Sequence, residues 1–162
     1  MTTLSTSTLI NSVVELLTEA YEGPPDPRST WFIDNEPDSG ILGIIAGVSA
    51  AEASTSVDGS GRPGTTIAAN VEHLRWSLAN ANAAFQGGEY QGNWKESWAL
   101  IDADEANWDR LRQALRAEFE TLRGIIQRQE ELPGDYLNGV LALIPHAAYH
   151  LGTIRQMIER VR

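Results

Sequence analysis

Four stretches of this 162-residue chain carry apolar residues at steps of three and four, separated by breaks rich in glycine and proline. That period marks one face of an α-helix, and no stretch of useful length alternates with the period of two that a half-buried strand needs. The first stretch runs from about Leu9 to Tyr21, with Leu9, Val13, Leu16 or Leu17, and Ala20 in register. Thr6 or Ser7 is its N-cap candidate, and Gly23, Pro24, Pro25 and Pro27 stop it. The second begins near Thr65 or Thr66 and reaches about Gln86, with Ile67, Val71, Leu74, Leu78, Ala81 and Phe85 as its stripe and Gly87-Gly88 as its end. Asp102 or Asp104 can cap the third, Glu105 to Gln129, which presents Trp108, Leu111, Leu115, Phe119, Leu122 and Ile126. After a break at Leu132-Pro133-Gly134, the fourth runs from about Tyr136 to Arg160 with Val140, Ile144, Ala147, Leu151, Ile154 and Ile158. Four helices of this length predict an all-α four-helix bundle.

The connections are long. EGPPDPRSTWFIDNEPDSG is expected to be a loop pinned to the body by Trp31, Phe32 and Ile33. ILGIIAGVSAAEAS, from Ile41, reads as an extra short apolar helix, and VDGSGRPG as a flexible turn. A connector bearing Trp94 and Trp98 joins the second and third long helices. The whole of 1–162 is read as one domain, long enough to bury a core without covalent staples, and without internal repeats.

Twenty-two acidic and 12 basic residues give a net charge of −10. Such a surface repels phosphate backbones, and no basic stripe with interleaved aromatics offsets it, which argues against nucleic-acid binding. The same charge argues against membrane-surface binding through a basic amphipathic helix, and no apolar run approaches the length of a membrane span. MTTLSTSTLI lacks the charged and apolar regions of a signal peptide. The chain has no cysteine, which excludes disulfides, thiolate ligands and a cysteine nucleophile. A cytoplasmic protein is expected.

Two of the three histidines fall in HAAYHLGTIRQM, as His146 and His150. At i, i+4 on one helix, their imidazoles can reach a common ion. The third, His73, lies in mid-helix in NVEHLRWS, on a flank shared with Asn70, Ser77 and Ala84. All three are expected at the edge of the core. Neutral imidazoles suit zinc and nickel, and iron or copper as well, and three of them leave positions open for water or substrate. Pairing with backbone carbonyls inside a core is the competing reading. The residues between His146 and His150 include no glutamate, so this is not the HExxH helix of a zincin protease. Pro145, just before His146, removes a helical hydrogen bond to Leu141, so the helix either bends there or begins there.

Taken together, TIAANVEHLRWSLA, a long intervening helix and HAAYHLGTIRQM resemble the DinB/YfiT-like superfamily. His146, His150, Gly152, Ile154, Arg155 and Gln156 match its late pattern. The resemblance spans most of the chain. It implies a four-helix bundle, often a homodimer, that holds a divalent metal through His73, His146 and His150. It also implies chemistry of the kind its characterised members perform, namely S-transfer or isomerisation with a low-molecular-weight thiol such as bacillithiol, mycothiol or glutathione. The tryptophan-bearing insertions around Trp31 and between Trp94 and Trp98 are not part of the shared pattern.

Other residues carry two readings each. Trp76, Trp94, Trp98 and Tyr149 either wall a pocket beside the metal or serve as core and dimer contacts. Arg155 either binds a carboxylate of a thiol cofactor or faces solvent or a dimer partner. Glu72 is expected to be solvated. No catalytic or thiol-binding residue is assigned from the sequence. The leading functional reading is a metal-dependent, thiol-using transferase acting on a small molecule. The alternatives are a metal-assisted hydrolase and a non-enzymatic, stress-related metal-binding dimer.

Overall fold

A computed structural model describes residues 5–98, 102–132 and 134–162. Six α-helices and one short 3₁₀ turn account for the ordered elements, with no strand among the described residues. They are α1 (Thr6–Glu22), α2 (Ile41–Ala46), α3 (Ala50–Ser54), α4 (Ile67–Phe85), the 3₁₀ turn (Glu96–Trp98), α5 (Glu105–Gln127) and α6 (Gly134–Val161).

The four long helices pack in a closed ring: α1 touches α6 and α5, and α4 touches the same two. Each buries the stripe that the periodicity picks out. Val13, Leu17 and Ala20 enter the core from α1, and Ile67, Val71, Leu74 and Leu78 from α4. Trp108, Leu115, Phe119, Leu122 and Ile126 come from α5, and Val140, Ala147, Leu151 and Ile154 from α6. Removing this apolar surface from water is the main force closing the ring. Tyr21 stacks on Phe119 with centroids 4.7 Å apart, and the Trp108 indole N–H donates to the Val48 carbonyl at 2.7 Å.

Caps fix the helix ends. Ser5, one residue before the expected candidates, accepts from the Thr8 N–H at 3.1 Å. Thr66 and Asp104 cap α4 and α5 in the same way. The apolar segment from Ile41 is two helices rather than one. Ser49 and Glu52 form a reciprocal capping box that starts α3, and such a box restarts the chain after Gly47. Gly43 allows α2 to lie on the preceding loop, since a Cβ there would stand 2.0 Å from the Asp38 carbonyl oxygen. The break expected at Leu132-Pro133-Gly134 falls partly on Pro133, outside the described residues, as does the connector segment 99–101. Pro145 lies inside a continuous α6, so no new helix begins at the site.

The loop after α1 is held differently from the expectation. Trp31 and Phe32 are exposed, and only Ile33 packs on the core. Instead the fully buried carboxylate of Glu19 accepts from three backbone N–H groups, those of Trp31 (2.8 Å), Phe32 (2.9 Å) and Ile33 (3.2 Å). A charged acceptor gathering several donors can offset its own desolvation. Arg155 secures the far end of the loop, pairing with Asp34 and donating to the Ser39 carbonyl at 2.6 Å. It is a tie between α6 and the loop.

Candidate metal centre

α4 and α6 bring the three histidines together. The ring centroids of His73, His146 and His150 form a near-equilateral triangle with sides of 4.8, 4.8 and 5.0 Å. One ring nitrogen from each lies within 4.8 Å of the others, close enough to share one ion. Their burial is uneven. His73 and His150 are buried, and only His146 sits at the edge where all three were expected.

Neighbouring groups decide which nitrogen of two rings carries the proton. Ser97, on the 3₁₀ turn, donates its hydroxyl hydrogen to the Trp94 carbonyl at 2.6 Å. Its oxygen is then left to accept from His73 Nδ1, also at 2.6 Å. Asn70, one turn before His73 on α4, donates both amide hydrogens to the carbonyls of Gly64 and Thr66, each at 2.9 Å. That orientation turns Oδ1 toward His150, whose Nδ1 donates to it at 3.0 Å. Both rings therefore carry no proton on Nε2, and that of His73 accepts from His146 Nε2 at 3.0 Å. Carbonyl- and hydroxyl-type partners of this kind set the tautomer of metal-ligating histidines.

Burial also keeps the rings neutral. Desolvation first, then the charge of His146, lowers the His73 pKa to about 4. Desolvation, followed by the charges of His146 and His73, lowers His150 to about 3. Desolvation moves His146 in the same direction.

The donor set fits a divalent cation. His73 Nε2 and His146 Nε2 are 3.0 Å apart, while tetrahedral zinc with bonds of about 2.0–2.1 Å separates its nitrogen ligands by roughly 3.3 Å. His146 is the adaptable member: no described residue bonds its Nδ1, so it can shift its proton there and release Nε2. No Asp or Glu joins the cluster among the described residues, so an ion held here would keep its full charge. The chain's net charge of −10 favours cation approach.

The surrounding shell is aromatic. Trp98 stacks on His73 with centroids 3.9 Å apart and planes within 10°. Trp94 lies 5.6 Å from the same ring, and Trp76 lies behind Trp94 at 5.2 Å. Tyr149 meets His150 edge-on at 5.0 Å but is largely exposed. Gly64, with φ +83°, brings the loop against this wall, since a Cβ there would be 3.2 Å from the Trp98 ring. The segment expected to be a flexible turn is thus part of the support. Val57 N–H donates to the Thr65 carbonyl, and Asp58 collects Ser56, Ser60 and Arg62. Glu72, expected to be solvated, is half-buried and pairs with Arg75 at 2.7 Å.

Beside the triad lies a cavity of about 660 Å³, bounded by α4, α6 and the connector, and reaching His146. Asn70 and Ser97 are the site residues that sequence reasoning did not assign. Asn70 at least shares the His73 flank three residues away. Ser97 had no signal, since its role depends on the fold of the connector. No protein-family model, curated protein or solved structure matches this chain.

Proposed function

We propose that this chain is a DinB/YfiT-like four-helix-bundle enzyme that holds one divalent metal, zinc or nickel first, through His73, His146 and His150. Its reaction would be thiol-dependent group transfer, in the cytoplasm, as a homodimer. The observation that carries the reading is the meeting of three imidazoles, each with a ring nitrogen within 4.8 Å of the others, two of them with their tautomers set by Ser97 and Asn70. Core histidines that only satisfy carbonyls would have no reason to gather three ring nitrogens within 4.8 Å of one another.

A divalent cation bound by neutral ligands supplies positive charge that lowers the pKa of a thiol or water at its open position. The chain's own residues supply the rest. Asn70 and Ser97 orient two ligands, Trp98 shields His73 from water, and His146 faces the cavity through which a substrate would arrive. The sulfur must come from a small molecule, because the chain has no cysteine. In the transfer that sulfur bonds to the substrate's electrophilic carbon, the leaving group departs with its electron pair, and the thiol proton passes to solvent.

Access at His146 counts against a purely non-enzymatic metal protein, which needs no cavity there. Hydrolysis would be helped by an acid or base, and no carboxylate among the described residues lines the cavity. The test is turnover of a chlorodinitrobenzene with bacillithiol, mycothiol or glutathione. Product formation should require thiol, vanish on chelation and in His150→Ala, and return with zinc in the wild type. Metal-dependent turnover indifferent to every thiol would overturn the transferase reading.

A further inference from the structure

The cavity beside the triad has a composition of its own. Where α4 and α6 face each other, small residues stand on both sides: Ser77, Ala81 and Ala84 opposite Gly139 and Ala142. They leave the roughly 660 Å³ that longer side chains would fill, within the range of small-molecule pockets. Aromatic rings form the rim. Phe85 and Tyr136 lie 5.3 Å apart, and Tyr90 and Trp94 6.4 Å apart. Tyr90 is 55% exposed and Trp94 41%, a costly placement for rings with nothing over them. Among the described residues, no charged side chain lines the space. Its polar side-chain groups are the Ser77 hydroxyl, the tyrosine hydroxyls, the Trp94 indole N–H and His146.

We propose that this cavity binds an uncharged, largely apolar or aromatic molecule and presents its polar end to His146. A carboxylate or ammonium placed here would lose its hydration and gain no ionic partner among the described lining residues. Arg75 on α4 and Arg155 on α6 are engaged elsewhere, with Glu72 and with Asp34. An aromatic ligand would instead cover the rim rings and fill the space left by the small residues. Calling it the substrate rests on the metal reading; the binding itself does not.

The test uses the full chain, stripped of metal, titrated with the uncharged dye N-phenylnaphthylamine. Saturable enhancement at about one dye per chain is expected. Gly139→Trp should abolish it, since a side chain at Gly139 meets no atom within 4 Å at its Cβ and would point into open space. Ala142→Trp, from an exposed position on the same wall, is the second variant should the first fold poorly. Naphthamide should displace the dye, and naphthoate of the same shape should need at least about tenfold more.

No saturable binding, or binding untouched by both variants, would overturn the proposal, and equal competition by naphthoate would overturn the ligand class. A wild-type dimer that binds no dye and that Gly139→Trp splits would assign the face to a second copy instead. Zinc content of the same preparations separates the two readings. Dye bound without zinc uptake sinks only the metal reading, and zinc bound without dye sinks only the pocket.

Discussion

Asn70 on α4 and His150 on α6 meet across the bundle at 3.0 Å, and the Asn70 amide is held by two carbonyls so that only its oxygen can face the imidazole. A side chain unrelated to metal chemistry by type thus fixes the proton of a ligand. Asn70→Ala should lower zinc affinity by about 10–100-fold, the usual cost of losing such a partner. Competition against a chromophoric chelator reads this directly. Unchanged affinity in a folded variant would mean that His150 needs no orientation from α4.

Acid should weaken the metal-free fold in a defined direction. His73 and His150 are held near 4 and 3, against about 6.5 in an unfolded chain. Between those values the unfolded chain binds more protons, so stability falls as pH falls from about 6.5 and is insensitive to these groups above it. Replacing both by glutamine should flatten the loss between about pH 7 and pH 5 in urea titrations. Equal slopes for variant and wild type would contradict the burial argument.

Glu19→Ala should cost about 2–4 kcal/mol, because three N–H groups lose a charged acceptor inside the protein. Glu15, which only reaches the exposed Trp31 indole at 3.0 Å, serves as the comparison; Glu15→Ala should stay within about 0.5 kcal/mol. Chemical denaturation of both separates a backbone tie from a surface contact. Similar effects for the two would return the loop to its side chains.

Arg155→Ala should lower stability by about 1 kcal/mol and leave zinc content unchanged, since its partners are Asp34 and the Ser39 carbonyl rather than the triad. Thermal melts and metal analysis of one preparation check both halves. Lost thiol-dependent turnover without lost stability would restore the cofactor-binding role that its place in the sequence motif suggests.

Much of the architecture was legible because burial imposes a period. The stripes of α4, α5 and α6 could be read residue by residue, and His73 with His146 and His150 stood out by rarity and spacing. What escaped depended on contacts far apart in sequence. Glu19 reads as an ordinary polar residue of a helix until the loop 12 residues later closes over it. Ser97 gains its role only when a single 3₁₀ turn places it on His73. Ser49 and Glu52 form a capping box that could have been seen, yet the apolar run around them masked the break.

The most direct measurement is metal content of tag-free protein, by elemental mass spectrometry, beside His150→Ala after incubation with zinc and with nickel. About one metal per chain is expected in the wild type, as a single three-histidine site requires, with a sharp fall in the variant. Metal missing from both proteins, or equal in both, would contradict the three-histidine centre and return HAAYHLGTIRQM to packing.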